Sequence, residues 1–244
     1  AMGTPYEWKS GKNKEGLVSV FGRLSYNFKE RYLFTGTLRA DGSSKFARGN
    51  QWGIFPSASA AWRISEEEFL KDVDFLNNLK LRVGYGTAGN NNIDDNMYTT
   101  GYGSGHYGIA GQDYITFVPG STLGNKDLKW EKTTTTNVGL DISLFNSRVN
   151  LALDWYNNES SNLLIKNKIP TTTGYADQYQ NLGSIRNRGF EIVLNTTNIR
   201  TKDFTWSTDL NIAINRSKVL ELYGDESLDY FIQDYESRMG YKIE

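Results

Sequence analysis

Several residue types that build common functional sites are scarce in this 244-residue chain. It contains no cysteine and a single histidine, His106. Disulfide frameworks, thiolate metal sites and multi-histidine metal sites are therefore excluded. The 27 basic and 28 acidic residues leave a net charge of -1, which gives no electrostatic reason to expect nucleic acid as a partner. No cofactor and no metal ion are expected.

Long apolar runs are also absent. No stretch approaches the roughly 18 apolar residues that a transmembrane helix needs. The mean hydropathy of -0.55 resembles that of a water-soluble protein. A membrane β-barrel, however, alternates apolar and polar residues and averages out as hydrophilic. The chain has only 4 prolines but 15 tyrosines and 6 tryptophans, and this composition favours strands over helices.

Apolar and polar residues alternate along about eight segments between residues 17 and 220. A period of two is the pattern of a strand with one apolar and one polar face. One set of side chains is expected to point outward to lipid: Val20, Leu24, Phe34, Leu140, Leu151, Leu153 and Ile212. The other set is expected to point inward to the lumen of a barrel: Arg23, Arg39, Arg82, Asp141, Asp154, Glu191 and Asp209.

The predicted connections alternate between short and long. Short ones lie at 29–30, 146–147 and 201–202, and 65–78 is expected to hold one helical turn whose Ser65–Glu68 string fits a capping box. Long, polar, glycine-rich loops are expected at 41–51, 89–131 and 168–180. Outer-membrane barrels have short periplasmic turns and long extracellular loops. Aromatic residues near strand ends suit the girdles of such a barrel: Tyr32, Trp52, Trp62, Trp155 and Trp206.

These patterns predict an all-β fold, an antiparallel transmembrane β-barrel. About eight strands would form part of a larger barrel, with one short helix in a periplasmic turn. Residues 1–244 are expected to be a single segment, with 1–16 and 221–244 as loop regions. A soluble β-rich carbohydrate-binding or hydrolytic domain is the alternative from another class.

Motifs that would indicate an enzyme are weak. Gly84–Gly89 matches GxGxxG after a strand, but a loop follows where a dinucleotide site needs a helix. Asp94 and Asp95 match no calcium-loop spacing and are expected in a solvated loop. His106 lies in a glycine-rich loop without a nucleophile elbow. Glu66–Glu68 suits the N-terminal end of a helix better than acid–base chemistry. We expect no enzyme activity.

The chain resembles the SusC/RagA branch of TonB-dependent outer-membrane receptors. The resemblance covers roughly residues 17–220 and rests on the order and spacing of local strings. These strings are Phe21–Phe28, Leu38–Phe46, Trp52–Ser57, Trp62–Ser65, Leu79–Asn90, Leu128–Glu131, Asn181–Gly183, Asn187–Glu191 and Asn211–Asn215 with Lys218–Val219.

The resemblance implies an outer-membrane protein of Bacteroidetes-type bacteria with a full barrel of about 22 strands and a plugged lumen. It also implies a SusD-type surface lipoprotein that helps to capture glycans or peptides, and TonB as the source of energy. The plug and the TonB-contacting segment have no counterpart in this chain, which is therefore expected to be an internal part of the barrel. Import of an oligosaccharide is the expected function of the parent, with a siderophore or vitamin receptor as the alternative.

Loop 89–131 is expected to contribute to substrate contact. Aromatic rings can stack on sugar rings, and the interleaved glycines let the backbone fold back tightly. At least one of Tyr98, Tyr102 and Tyr107 is expected to meet substrate. The alternative is that these rings pack onto neighbouring loops or onto the lipoprotein. The candidate substrate-binding residues are Tyr98, Tyr102, Tyr107 and Tyr114, with neutral hydrogen-bonding groups on Asn90, Asn91, Asn92 and Gln112.

Overall fold

A computed structural model describes residues 14–109 and 112–221. Strands dominate, because alternating apolar, aromatic and β-branched side chains suit a pleated surface. Among the described residues, no helix is both long enough and apolar enough to cross a membrane. The strands are β1 (Leu17–Phe28), β2 (Tyr32–Ser43), β3 (Trp52–Arg63), β4 (Leu76–Asn90), β5 (Tyr102–Ile109), β6 (Gln112–Pro119), β7 (Thr122–Leu123), β8 (Glu131–Leu144), β9 (Val149–Ser161), β10 (Leu164–Lys168), β11 (Asp177–Asn181), β12 (Ser184–Arg200) and β13 (Thr205–Glu221).

The main sheet has eight strands in the order β1-β2-β3-β4-β8-β9-β12-β13. All of its neighbours pair antiparallel. Connections 29–31, 64–75, 145–148 and 201–204 lie at one end of the sheet, here called the turn end. Connections 44–51, 91–130 and 162–183 lie at the other, the loop end. The predicted eight antiparallel strands are confirmed. Three of the four turn-end connections have three or four residues, and 64–75, predicted to be the longer one, exceeds the loop-end connection 44–51.

The strand register places the predicted outward and inward residues on opposite faces of the main sheet. Leu153 pairs with Leu140 on β8 and with Ile192 on β12, and Ile192 pairs with Ile212 on β13. One residue further along β9, Asp154 pairs with Gly139 and Glu191 instead. Since directly paired residues share a face, the apolar row continues across these four strands.

The apolar face of the main sheet is exposed rather than covered by a second layer. Leu24 is 68% exposed and Ile214 is 61% exposed. In a β-sandwich the same side chains would be buried between two sheets. The buried hydrophobic residues of the described chain gather instead at the loop end. The fold therefore has the face arrangement of a barrel wall in lipid.

The apolar face is offset from strand to strand. On this face, the aromatic residue nearest the loop end is Trp52 on β3 and Tyr85 on β4. Tyr85 pairs with Ala58, six residues nearer the turn end than Trp52. Strands of a barrel are tilted to its axis, so a band parallel to the membrane must step down from one strand to the next. The offset agrees with that tilt.

The turn end differs from the prediction in its local hydrogen bonds. Residues Ile64–Glu66 form a single 3-10 turn without a side-chain cap. The predicted capping box was wrong, because the turn begins one residue early and leaves the Ser65 hydroxyl inside it without a partner among the described residues. Glu66 pairs with Arg63 at 2.8 Å, so this carboxylate neutralises a nearby cation instead of capping a helix.

Glu67 joins two residues of the main sheet and one of connection 29–31 at the turn end. The Tyr32 hydroxyl donates to it at 2.7 Å and the Trp62 indole at 2.9 Å. The two rings stack with centroids 6.3 Å apart. The Arg31 guanidinium lies 3.2 Å from the second carboxylate oxygen. These contacts fix two aromatic rings of the predicted girdle, and they, rather than a helix dipole, explain the carboxylate at position 67.

The long connections contain strands that the sequence did not predict. Within 91–130, β5 and β6 form a hairpin, and β7 pairs parallel with β11. Within 162–183, β10 and β11 form a second hairpin. The prediction of plain loops there was wrong, because β5 is interrupted by glycines and β7, β10 and β11 are too short to show a clear apolar period. Of the predicted terminal loop regions, 14–16 carry no regular structure, Glu221 belongs to β13, and 1–13 and 222–244 lie outside the described residues.

Candidate functional site at the loop end

A small hydrophobic core ties the three long connections together. Phe46 comes from 44–51, Ile93 and Leu128 from 91–130, and Leu164 from the third connection. Phe55 of β3 and Trp130 complete the core. We call these six residues the loop platform. Leu128 and Phe46 are fully buried, so the loops have a fixed base rather than independent conformations.

Trp130 lies at the centre of the loop platform. Its ring centroid is 5.5 Å from those of both Phe46 and Phe55, and its indole donates to the Gln51 carbonyl at 2.9 Å. The Phe55 ring occupies the space where a Cβ of Gly53 or Gly89 would lie. Glycine is therefore required at both positions for Phe55 to reach Trp130.

Hydrogen bonds between polar groups stabilise the region of the loop platform. The side-chain amide of Asn181 brackets the backbone of Lys129, accepting from its N–H at 2.9 Å and donating to its carbonyl at 2.8 Å. Glu131, which is 5% exposed, accepts from the Asn90 amide at 3.1 Å and from the Leu164 N–H at 3.1 Å. Sequence reasoning singled out the strings around these residues but not their contacts, which join positions 33 to 52 residues apart.

The β5–β6 hairpin carries two of the most exposed aromatic residues in the part of the chain that the structure describes. Tyr102 is 73% exposed and Phe117 is 85% exposed. Ser104 pairs with Phe117, so Tyr102, two residues before Ser104, lies on the same face of the hairpin as Phe117. The hairpin closes at its base through Gly120, whose N–H donates to the Gly101 carbonyl at 2.8 Å.

The four predicted tyrosines have different positions. Tyr102 lies on the exposed hairpin face, and Tyr98 is half-buried in the turn that precedes β5. Tyr107 and Tyr114 pair with each other in the hairpin, and their side chains lie outside the described residues. Phe117, which is not one of the four predicted residues, lies on the same face of the hairpin as Tyr102.

The predicted neutral hydrogen-bonding groups are partly engaged within the chain. The Asn90 amide donates to Glu131, and its oxygen accepts from the Asn92 N–H at 3.0 Å. The Asn91 amide donates to the Ser43 hydroxyl at 3.0 Å. These asparagines therefore stabilise the loop platform, whereas the side chain of Gln112 lies outside the described residues.

The lumen side of the sheet carries a charge network. Arg82 donates two hydrogen bonds of 2.8 Å to Asp141 and further bonds of 3.0 and 3.2 Å to Asp154. Gly139 lies between the partners, where a Cβ would be 2.7 Å from the guanidinium carbon of Arg82. Lys80 adds a second cation 3.9 Å from Asp141. The network confirms that three predicted inward residues share a face.

Carboxylates and the single histidine are the residues of this chain that could bind a metal ion or act in acid–base chemistry. No group of three or more histidine, cysteine, aspartate or glutamate side chains within the described ranges is placed to hold a metal ion. Asp94 accepts a hydrogen bond from the Tyr179 hydroxyl at 3.1 Å. The side chain of His106 is outside the described residues. Gly84 and Gly86 lie on the lumen side of β4 opposite Asn137 and Ser57, as expected of a strand motif.

A tilted antiparallel sheet with an exposed apolar face and a polar, charge-paired opposite face defines the wall of an outer-membrane β-barrel. Residues 3–238 match the family described as TonB dependent receptor-like, beta-barrel. The chain belongs to this family and is part of an outer-membrane protein.

Two relatives show where in the family the chain lies. It is 44% identical over 223 residues to the TonB-dependent receptor SusC of Bacteroides thetaiotaomicron, covering 89% of this chain and 22% of the relative. It is 39% identical over 232 residues to the TonB-dependent receptor P39 of Formosa agariphila, covering 93% of this chain and 22% of the relative. The chain thus spans about a fifth of the length of these relatives. Both are receptors, in agreement with the expectation that the chain is no enzyme.

Solved structures of receptors have the same fold as this chain. The structure of the RagAB peptide importer in its closed-closed state matches with a TM-score of 0.78 at 30% identity, over 85% of this chain and 22% of that chain. The siderophore receptor PirA from Pseudomonas aeruginosa matches with a TM-score of 0.52 at 17% identity, over 82% of this chain and 34% of that chain. The second likeness extends to the fold alone. The predicted SusC/RagA resemblance is confirmed.

Proposed function

We propose that this chain supplies wall and extracellular loops to a TonB-dependent transporter that imports an oligosaccharide together with a SusD-type surface lipoprotein. The single observation that carries the substrate class is the exposed aromatic face of the β5–β6 hairpin. Tyr102 and Phe117 are exposed on the same face of the hairpin at the loop end. Flat apolar ring faces next to hydroxyl groups suit sugar rings.

The named relatives are TonB-dependent receptors, which supports energised transport through TonB. The RagAB peptide importer matches at 30% identity, so a peptide is the competing substrate class. The exposed rings of the hairpin favour an oligosaccharide, because flat ring faces stack on sugar rings. Met97, before the hairpin, packs against the loop platform, and its carbonyl accepts from the Asn125 N–H after the hairpin at 3.0 Å. The two rings can therefore be presented without a large ordering cost. A siderophore is disfavoured because that match is only 17% identical.

The test uses the intact receptor with its lipoprotein. Replacing Tyr102 and Phe117 by alanine should weaken oligosaccharide binding about 30-fold, since each of the two stacked rings contributes on the order of 1 kcal/mol. The matched control is Phe69→Ala, because Phe69 is 71% exposed but lies at the turn end. Isothermal titration with a panel of oligosaccharides and peptides measures the affinities.

Unchanged oligosaccharide affinity in the double variant, with normal barrel assembly, would remove the hairpin from the substrate site. Tight binding of peptides and none of oligosaccharides would replace the proposed substrate class. Loss of binding in Phe69→Ala as well would show a general defect rather than a lost contact.

A further inference from the structure

The outward face of the main sheet carries a group of cations above its apolar band on β12 and β13. Arg188 pairs directly with Arg216, and Arg186 pairs directly with Lys218. Two consecutive outward pairs of the same hairpin are therefore cation against cation. Like charges placed directly opposite in a sheet are destabilising unless an anion lies between them.

One neighbouring carboxylate pairs with a member of this group. Glu159 of β9 pairs with Arg186 at 3.1 Å. Within the part of the chain that the structure describes, no ion pair is formed by Arg188, Arg216 or Lys218. Four cations thus share one carboxylate.

The four side chains surround an open depression of about 450 Å³ on the sheet surface. Arg188, Arg216 and Lys218 are exposed, so their charged groups can reach a bound anion. Guanidinium groups bind phosphate oxygens through paired, charge-assisted hydrogen bonds, and the ammonium group adds a point charge. A phosphate group suits this depression in charge, and the depression has room for it.

The position of the group on the sheet identifies the source of the phosphate. Two residues nearer the turn end, on the same face, lie Phe190 and Ile214. Both are exposed members of the apolar band that contacts lipid. The cations therefore lie immediately above the apolar band, at the loop end, where the lipid head groups of the outer leaflet meet the barrel. They face away from the lumen through which a substrate passes.

We propose that Arg186, Arg188, Arg216 and Lys218 form a binding site for the phosphate group of an outer-leaflet lipid. The acyl chains of that lipid lie along the apolar face near Phe190 and Ile214. The bound phosphate offsets the repulsion of the two cation pairs and fixes one lipid beside β12 and β13.

The test uses the intact receptor in detergent and counts bound lipid by native mass spectrometry. The probes are lipid A with one phosphate, the same lipid with its phosphate removed, and inorganic phosphate alone. The wild-type receptor should bind the phosphorylated lipid about tenfold more tightly than the dephosphorylated one. Arg188→Gln with Arg216→Gln should abolish that difference.

A matched control lies at the other end of the same hairpin. Arg200→Gln with Lys202→Gln removes the same charge at the turn end and should leave the preference for phosphorylated lipid unchanged. Arg188→Lys with Arg216→Lys keeps the charge and should retain most of the preference. Equal binding of both lipids by the wild-type receptor would overturn the proposal even if the glutamine variant failed to assemble. Equally tight binding of inorganic phosphate would show a free-anion site instead of a lipid site.

Discussion

The side-chain amide of Asn181 holds both hydrogen-bonding groups of the Lys129 backbone, at 2.9 Å to the N–H and 2.8 Å to the carbonyl. The same amide nitrogen also donates to the Asn162 carbonyl at 2.9 Å. One asparagine therefore joins the connection before β8 to both ends of the connection between β9 and β12.

Asn181→Asp should loosen the loop platform. The substitution keeps the shape of the side chain but removes the donor to two carbonyls, which costs about 2 kcal/mol. Hydrogen exchange in residues 124–131 of the intact receptor should become faster. Asn92→Asp is the control, because the exposed Asn92 contributes only its backbone N–H to the described hydrogen bonds. Equal exchange rates in the two variants would contradict the role of Asn181.

Gly89→Ala should destabilise the loop end, because the Phe55 ring fills the space of the added methyl group. Overpacking of this kind costs about 1–3 kcal/mol. Gly22→Ala is the matched control, since no atom lies within 4 Å of a Cβ at that strand position. Thermal unfolding of both variants in the intact receptor compares them. An unchanged unfolding temperature in Gly89→Ala would mean that the Phe55 ring can adopt another position without loss of stability.

The sequence predicted the strands of the wall better than the loops. The reason is that strand patterns are local in the sequence, whereas the loop contacts join residues far apart in it. Alternation along Leu151, Leu153 and Trp155 is local, so it reveals a strand without knowledge of the partner. The contact between Asn181 and Lys129 joins residues 52 positions apart, and no local sequence pattern predicts it. Ser65 shows the converse case. The local sequence there fits a capping box, but the hydrogen bonds of Glu67 with Tyr32 and Trp62 determine the structure instead.

The Glu67 network should make the turn end sensitive to acid. The hydrogen bond from Tyr32, followed by that from Trp62, holds the pKa of the Glu67 carboxyl below its ordinary value. A lowered folded-state pKa contributes stability that is present above the unfolded-state pKa of about 4.3 and is lost as the pH falls through the folded-state value. Glu67→Gln should therefore lose stability at neutral pH and show a weaker acid dependence. Parallel unfolding curves for the two proteins between pH 3 and pH 7 would contradict this.

A charge on the lipid face should be costly where a charge on the lumen face is tolerated. Leu153→Arg places a cation in the apolar row at mid-membrane and should destabilise the intact barrel by about 2–4 kcal/mol. Ala152→Arg, one residue earlier on β9, points to the lumen and lies opposite Asp141. Equilibrium unfolding from lipid vesicles measures both variants. Equal costs would mean that β9 does not separate lipid from lumen.

The central claim is that successive residues of one strand face lipid and lumen in turn. Because the chain has no cysteine, a single one can be introduced at each position of β9 for a spin label without background from these 244 residues. In the intact receptor in lipid vesicles, oxygen should reach labels at 151, 153 and 155, and a water-soluble nickel complex should reach labels at 150, 152 and 154. Accessibility that shows no period of two, or a period of two with the sets exchanged, would contradict the account.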